Sequence, residues 1–297
     1  MSPRYLPVFA SLLAAAFLGT YLSSLHAEAL MRTQAPAVED VARYAEVSTT
    51  SRAAAPSAAS RTALIPILVY HIVRPSYPSD SAAVRSLALT PKVFDAEMLH
   101  LREAGYHVVR FRDLEAYFAS GTPLPALPVI ISFDDGWSDQ YAYAFPILKK
   151  YGYPATFFVF TNAIGHRGFL SWTDLHAMLA AGMDIGDHTR SHPFLTSITD
   201  AAQLWSEIDG SKLLLEQELG VPVNEFAYPF GQYDPAIVAL VRKAGYKSAR
   251  GDFYSGSQSS DRLFGLSAMN APTTTARFTE LFPRNGIGAC RRAAPAC

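Results

Sequence analysis

The chain has 297 residues, 49% of them hydrophobic and 17% charged, with a formal net charge of −1. That length and composition allow one large α/β domain or two small ones, and the balanced charge removes any bulk electrostatic case for binding nucleic acid. Cysteine occurs only at Cys290 and Cys297, which excludes a four-cysteine zinc site and a disulfide-framed core.

Arg4 precedes an almost charge-free run from Leu6 to Leu25, and Ala27-Glu28-Ala29 after it fits a small-residue cleavage site. Residues 1–29 are expected to be a signal peptide or, because the run is nearly long enough to span a bilayer, an N-terminal membrane anchor. Either implies export to the periplasm, the cell envelope or the extracellular space. There Cys290 and Cys297 can bridge, or stay as free thiols in a frayed tail. Residues 30–63, rich in Ala, Ser, Thr and Pro, read as a flexible linker. A folded domain is expected over 64–283 and a tail over 284–297.

Within the domain, Ile65 to Tyr70 reads as a strand with His71 at its end. Thr90 caps a helix that starts at Pro91, carries Phe94, Met98 and Leu101 as its apolar stripe and stops at Gly105. His107 to Val109 reads as a strand and Arg112 to Ala119 as a short helix. The β-branched run Pro128 to Ile131 is a buried strand leading into Ser132-Phe133-Asp134-Asp135-Gly136, where the glycine opens a loop. Ala142 to Tyr151 is helical despite Pro146, and Ala155 to Phe160 is a buried strand. A helix from Trp172 to Ala181 has Ser171 as its cap. A strand from Met183 to Gly186 is followed by His188-Thr189-Arg190-Ser191-His192. A long amphipathic helix runs from Asp200 to Leu219 and closes at Gly220. A strand from Glu225 to Tyr228 ends in Pro229-Phe230-Gly231, then come a helix from Pro235 to Ala244 and a strand from Tyr246 to Ala249. Beyond Arg250 the pattern weakens into loops. Alternating strands and helices argue for a parallel sheet or barrel. His71, Asp134, Asp135, His188, His192 and the Tyr228–Gly231 turn each follow a strand, and in a (β/α) barrel such ends share the active face.

The i,i+4 pair His188 and His192, with Asp135, makes a two-His, one-carboxylate set that leaves coordination open for water or substrate. Pro193 favours a loop there over a helix. Taken separately, an Asp pair before Gly is also an ordinary turn signal and two histidines in a polar loop are also merely solvated. Together, the three stretches resemble the polysaccharide deacetylases, the NodB homology domain of carbohydrate esterase family four, from about Leu64 to Pro272. Ser132–Gly136 is similar to the family's Thr/Ser-Phe-Asp-Asp-Gly motif, His188–His192 to its His-Ser/Thr-x-x-His motif, and Phe226–Gly231 to its third, proline-containing motif.

The resemblance implies a distorted (β/α) barrel and a divalent metal, usually zinc, with cobalt or nickel as alternatives. It casts Asp135, His188 and His192 as ligands and Asp134 as general base; a backbone N–H of the Tyr228–Gly231 turn, that of Phe230 first, is a candidate donor to the oxyanion. The implied activity is hydrolysis of acetyl groups on an acetylated polysaccharide. The family's late Leu-x-His motif is replaced here by Leu266-Ser267-Ala268, and no histidine follows His192. Tyr70-His71 looks like the N-terminal element of relatives that act on poly-β-1,6-N-acetylglucosamine, which casts His71 as the general acid and that polymer as the leading substrate. The alternatives are an O-acetyl esterase, a peptidoglycan or chitin deacetylase, and a non-catalytic polysaccharide-binding protein. The arginine that often orients the base from the third motif is Ala227 here, which leaves Arg190 and Arg250 as candidates. Asp187 is a candidate partner for a ligand histidine. Trp137, Tyr141, Trp172 and above all Tyr228 are candidates to stack on sugar, with Pro229, Phe230 and Gly231 beside it. His100, His107, His166 and His176 are expected to be surface or packing residues.

Overall fold

The computed structural model describes residues 60–251 and 255–284. The expected leader, nearly all of the linker, Cys290 and Cys297 lie outside the described residues. Eight strands form the central sheet: β1 Ile67–Tyr70, β2 His107–Val109, β3 Pro128–Phe133, β4 Thr156–Val159, β5 Asp184–Asp187, β6 Glu225–Ala227, β7 Ser248–Arg250 and β8 Met269–Asn270. Their order is β7-β6-β5-β4-β3-β1-β8, with β2 against the first residues of β3, and every pairing is parallel. Leu266 bridges Arg250 of β7, and shortly afterwards β8 pairs with Leu68 and Val69 of β1. The segment between them therefore reaches from one end of the sheet to the other and curls it into a distorted (β/α) barrel.

The period of two along each strand sorts the core into two clusters. Leu68, Tyr70, Val129, Ile131, Phe133, Phe157, Val159 and Phe226 point outward into the cluster under the helices. Ile67, Val69, Ile130, Phe158 and Ala227 point inward and fill the barrel together with Phe111, Leu114 and Phe118. Those last residues belong to the helix Phe111–Ser120, which thus packs into the barrel interior. Gly186 also faces inward: a Cβ there would lie 2.4 Å from the Phe158 ring, so only glycine leaves the ring its place.

The helix Pro91–Glu103 forms as expected. Thr90 accepts a hydrogen bond from the Val93 N–H, Pro91 occupies the first turn, and Phe94, Met98 and Leu101 are fully buried. The helix expected through Pro146 divides instead into a π turn, Gln140–Ala144, and the α-helix Phe145–Tyr151. Pro146 has no N–H for the Ala142 carbonyl, and its ring would crowd that carbonyl in a regular helix, so the chain widens by one residue just before it. A second π turn, Ser206–Gly210, interrupts the long helix between Ala201–Trp205 and Ser211–Leu219.

Two boundaries differ from expectation. Thr62–Leu64 is a strand paired antiparallel with Ser257–Ser259, so order begins inside the stretch expected to be linker. After Arg250 the chain is not simply loop: it forms that strand, β8 and the helix Thr275–Leu281. These elements are too short for their periodicity to stand out. Among the described residues, no helix is long and apolar enough to cross a membrane.

Candidate active site

Outward Tyr70 makes the next residue, His71, point inward, and outward Phe133 does the same for Asp134. Both lie on the rim of a cavity of about 270 Å³ at the C-terminal ends of the strands, lined also by Asp135, His188, His192 and Arg250. Asp135 and Gly136 then take φ values of +71° and +69°, which turns the Asp135 carboxylate back over the barrel. A Cβ on Gly136 would lie 2.9 Å from Val159 Cγ1, so this left-handed position also needs glycine. Trp137 Nε1 donates to Asp135 Oδ2 at 3.0 Å and holds the carboxylate.

His188 follows β5 and is buried, whereas His192 sits in a loop, as Pro193 suggested. The loop returns on itself through left-handed Thr189 and His192, and the His192 N–H bonds to Thr189 Oγ1 at 2.9 Å. Glu207, in the second π turn, receives both the N–H and the hydroxyl of Ser191, at 2.8 and 2.7 Å. The two imidazole Nε2 atoms come within 3.2 Å of each other, and Asp135 Oδ1 lies 3.8 Å from that of His188 and 3.4 Å from that of His192.

This donor set fits a metal ion. His188 Nδ1 donates to the Ala227 carbonyl at 2.7 Å, which leaves an Nε2 lone pair facing the cluster. Burial pushes the His188 imidazole down to about 4, with Asp134 opposing and His192 adding to the fall, so the ring is neutral as a ligand must be. The two imidazoles and the carboxylate bring donor atoms within 4.8 Å of one another, a spacing that suits a cation held between them.

Asp134 is buried. Its Oδ1 accepts a hydrogen bond from Arg250 Nη2, and its Oδ2 lies 4.0 Å from His71 Nε2. Burial pushes its carboxyl up, but Arg250, His188 and His71 together outweigh that and hold it below its ordinary value. Arg250 is in direct register with Ala227 on the neighbouring strand, and both face into the barrel. The small side chain at Ala227 leaves the space that the guanidinium crosses. Arg190 instead bonds to Ser206, away from Asp134.

Two expectations fail for one reason, the alternation of the strands. Tyr228 points outward, is 1% exposed, packs against Tyr233 and Phe226, and donates its hydroxyl to the Phe264 carbonyl at 3.0 Å. Its ring has no free face for a sugar, although the residue borders the cavity. Asp187 also points outward. It accepts from Ser211, Tyr246 and the Thr189 N–H rather than from a histidine ring, and burial pushes its carboxyl up to about 7. The exposed aromatic at the cavity is Phe230, which stacks on Phe194 at 3.8 Å and touches the His192 ring. Trp137 stacks on Phe169, Tyr141 stacks on Phe145, and Trp172 packs against the core. His100 and His107 bond to backbone carbonyls, in keeping with packing roles. Gln140 and Glu207 escaped the sequence reading because they act on backbone and belong to none of the three motifs.

A family model described as polysaccharide deacetylase matches residues 122–249. YxkH of Bacillus subtilis, a provisionally named polysaccharide deacetylase, is 31% identical over 187 residues, or 63% of this chain; the match spans 64% of the relative's own length. The poly-beta-1,6-N-acetyl-D-glucosamine N-deacetylase of Staphylococcus epidermidis is 29% identical over 199 residues, 60% of this chain and 68% of that protein. Among solved structures, the deacetylase PplD of Streptococcus pyogenes in complex with acetate superposes with a TM-score of 0.64 at 26% identity, covering 70% of this chain and 92% of that one.

Proposed function

We propose, since this chain belongs to the polysaccharide deacetylase family, that it hydrolyses N-acetyl groups of an amino-sugar polysaccharide, with poly-β-1,6-N-acetylglucosamine or a related polymer as substrate. The observation that carries the proposal is the placing of Asp134 between Arg250 and His71, one residue from Asp135 of the Asp135, His188 and His192 cluster. A protein that only held polysaccharide would have no use for a buried, ionised carboxylate there.

Asp135, His188 and His192 would hold a divalent ion, with zinc the first candidate for a site of two imidazoles and one carboxylate. Such an ion supplies Lewis-acid chemistry, polarising a carbonyl and lowering the pKa of water from 15.7 towards roughly 7. Asp134, kept ionised and oriented by Arg250, takes a proton from the water that attacks the acetamide carbon. The Phe230 N–H, in a turn whose Gly231 and Gln232 N–H groups bond back to Tyr228 and Pro229, stabilises negative charge on the carbonyl oxygen. His71 gives a proton to the amine nitrogen as the carbon–nitrogen bond breaks, leaving a free amino sugar and acetate. Phe230, backed by the stacked Phe194, lines the cavity beside His192 and offers an apolar ring to the glycan. The leader expected over residues 1–29 would bring the enzyme to polysaccharide of the cell envelope or beyond it.

The acid assignment is tested with His71→Ala. The variant is expected to bind zinc normally and to lose roughly 10²–10⁴-fold in acetate release from N-acetylglucosamine oligomers. Near-normal turnover would refute the assignment.

A further inference from the structure

His71 and Asp134 end two strands that lie side by side. Tyr70 is opposite Phe133, and the last rung of the ladder runs from the Asp134 N–H to the Tyr70 carbonyl at 2.9 Å. Beyond that rung the first strand leaves the sheet, because Ile72 and Val73 pair with Ala88 and Leu89 instead. The carbonyls of His71 and Asp134 are therefore past the reach of the ladder at the point where the two side chains must be held in relation to each other. Gln140 fills the gap. Its Nε2 donates to the His71 carbonyl at 2.8 Å and to the Asp134 carbonyl at 2.6 Å. Both partners are acceptors only, so the amide can face them in just one orientation.

Gln140 is fully buried, and its Oε1 has no hydrogen-bond partner among the described residues. Leaving a buried carbonyl oxygen unpaired is unfavourable, and this fold tolerates it where the same amide makes two other bonds. Local sequence explains how the residue gets there. Pro146 forces the π turn Gln140–Ala144, and Gln140 is the first residue of that turn.

We infer that Gln140 is a positioning residue: its amide acts as an extra rung between the strand ends and sets the 4.0 Å separation of the His71 imidazole and the Asp134 carboxylate. The inference rests on the reading of His71 as acid and Asp134 as base. Gln140 makes no contact with the His188 and His192 side chains through these bonds, so its loss should disturb proton transfer and leave metal binding in place. The effect should also depend on the leaving group. An amine cannot leave without a proton, whereas the phenolate of an activated aryl acetate can. Displacing His71 therefore penalises the acetamide far more than the aryl ester.

Two variants test this in the purified full chain. Gln140→Met keeps length and volume but removes both donors, and Gln140→Glu turns an oxygen onto the two carbonyls. The measurements are cobalt affinity and absorption spectrum, together with kcat and KM on N-acetylglucosamine oligomers and on an aryl acetate, with His71→Ala alongside. Both variants are expected to bind cobalt as the wild type does, with the same spectrum. Their kcat on the oligomers should fall roughly 100-fold, with KM changed by no more than about threefold and the aryl ester rate by less than about tenfold. Equal losses on both substrates with weakened cobalt binding would mark a merely structural role and overturn the inference, as would near-wild-type turnover. Should His71→Ala show the amide-selective loss and the Gln140 variants not, the inference alone falls. Should His71→Ala itself show no such selectivity, the acid assignment falls and the inference with it.

Discussion

Replacing Arg250 with methionine isolates what the guanidinium does for Asp134. The two are buried together, and the guanidinium also lies 4.6 Å from the centre of the Phe158 ring. Burial pushes the Asp134 carboxyl up, and Arg250 is the largest of the groups that more than compensate. Asp187 shows what burial does without an arginine bonded to it: on the same sheet and fully buried, it is pushed up to about 7 in spite of three hydrogen bonds. With Arg250 gone, the largest group opposing the burial of Asp134 is lost, and deleting one half of a buried ion pair costs ~3–5 kcal/mol. The sign of the pH dependence follows. In the wild type the depressed carboxyl adds stability above the unfolded-chain pKa of about 4 and loses it on acidification. In Arg250→Met, burial no longer opposed by the guanidinium raises the carboxyl, which holds a proton that the unfolded chain releases, so stability falls as pH rises above the unfolded-chain pKa of about 4. Urea melts of chelated protein should therefore show the variant several kcal/mol less stable than wild type near pH 8, and the gap should shrink near pH 5. Acetate release by the zinc-loaded variant should lose its acid side first, as the base takes up a proton, and recover in part near pH 8. An equal stability difference at both pH values, together with an unshifted acid limb of activity, would refute the reasoning.

Glu97 is fully buried against the Tyr70 hydroxyl, 2.9 Å away, and burial pushes its carboxyl up to about 8. Its folded state holds a proton that the unfolded chain gives up, so Glu97→Gln should remove up to about 1.4 kcal/mol per pH unit from the fall in stability between pH ~4.5 and ~8; an unchanged slope in urea melts would contradict this. Glu207→Ala frees Ser191 between His188 and His192 and should weaken zinc binding by about 10–100-fold in a chelator competition; unchanged affinity would mean that the loop holds its shape without Glu207.

The fold was legible because its strands are short apolar runs ended by polar residues and its helices carry clear caps, as with Thr90 and Pro91. Much of the candidate site was legible too, since Asp134, Asp135, His188 and His192 fall in contiguous motifs at strand ends. What escaped had physical reasons. Tyr228 and Asp187 were assigned by closeness in sequence to the site, although alternation along a strand sends every second residue to the other face, and both lie on that face. Arg250 could be named only as a candidate, because its relation to Asp134 runs through cross-strand register with Ala227, and register is invisible in one strand alone. Gln140 and Glu207 act on backbone from π turns, and single-sequence periodicity reads such turns as ordinary helix.

The most direct test of the account is acetate release from N-acetylated β-1,6-glucosamine oligomers by protein stripped with a chelator and reloaded with zinc, with Asp134→Asn measured beside it. The account predicts release that disappears on chelation, returns with zinc and is abolished in the variant even though the variant still binds zinc. Release that survives chelation, or that persists undiminished in Asp134→Asn, would contradict it.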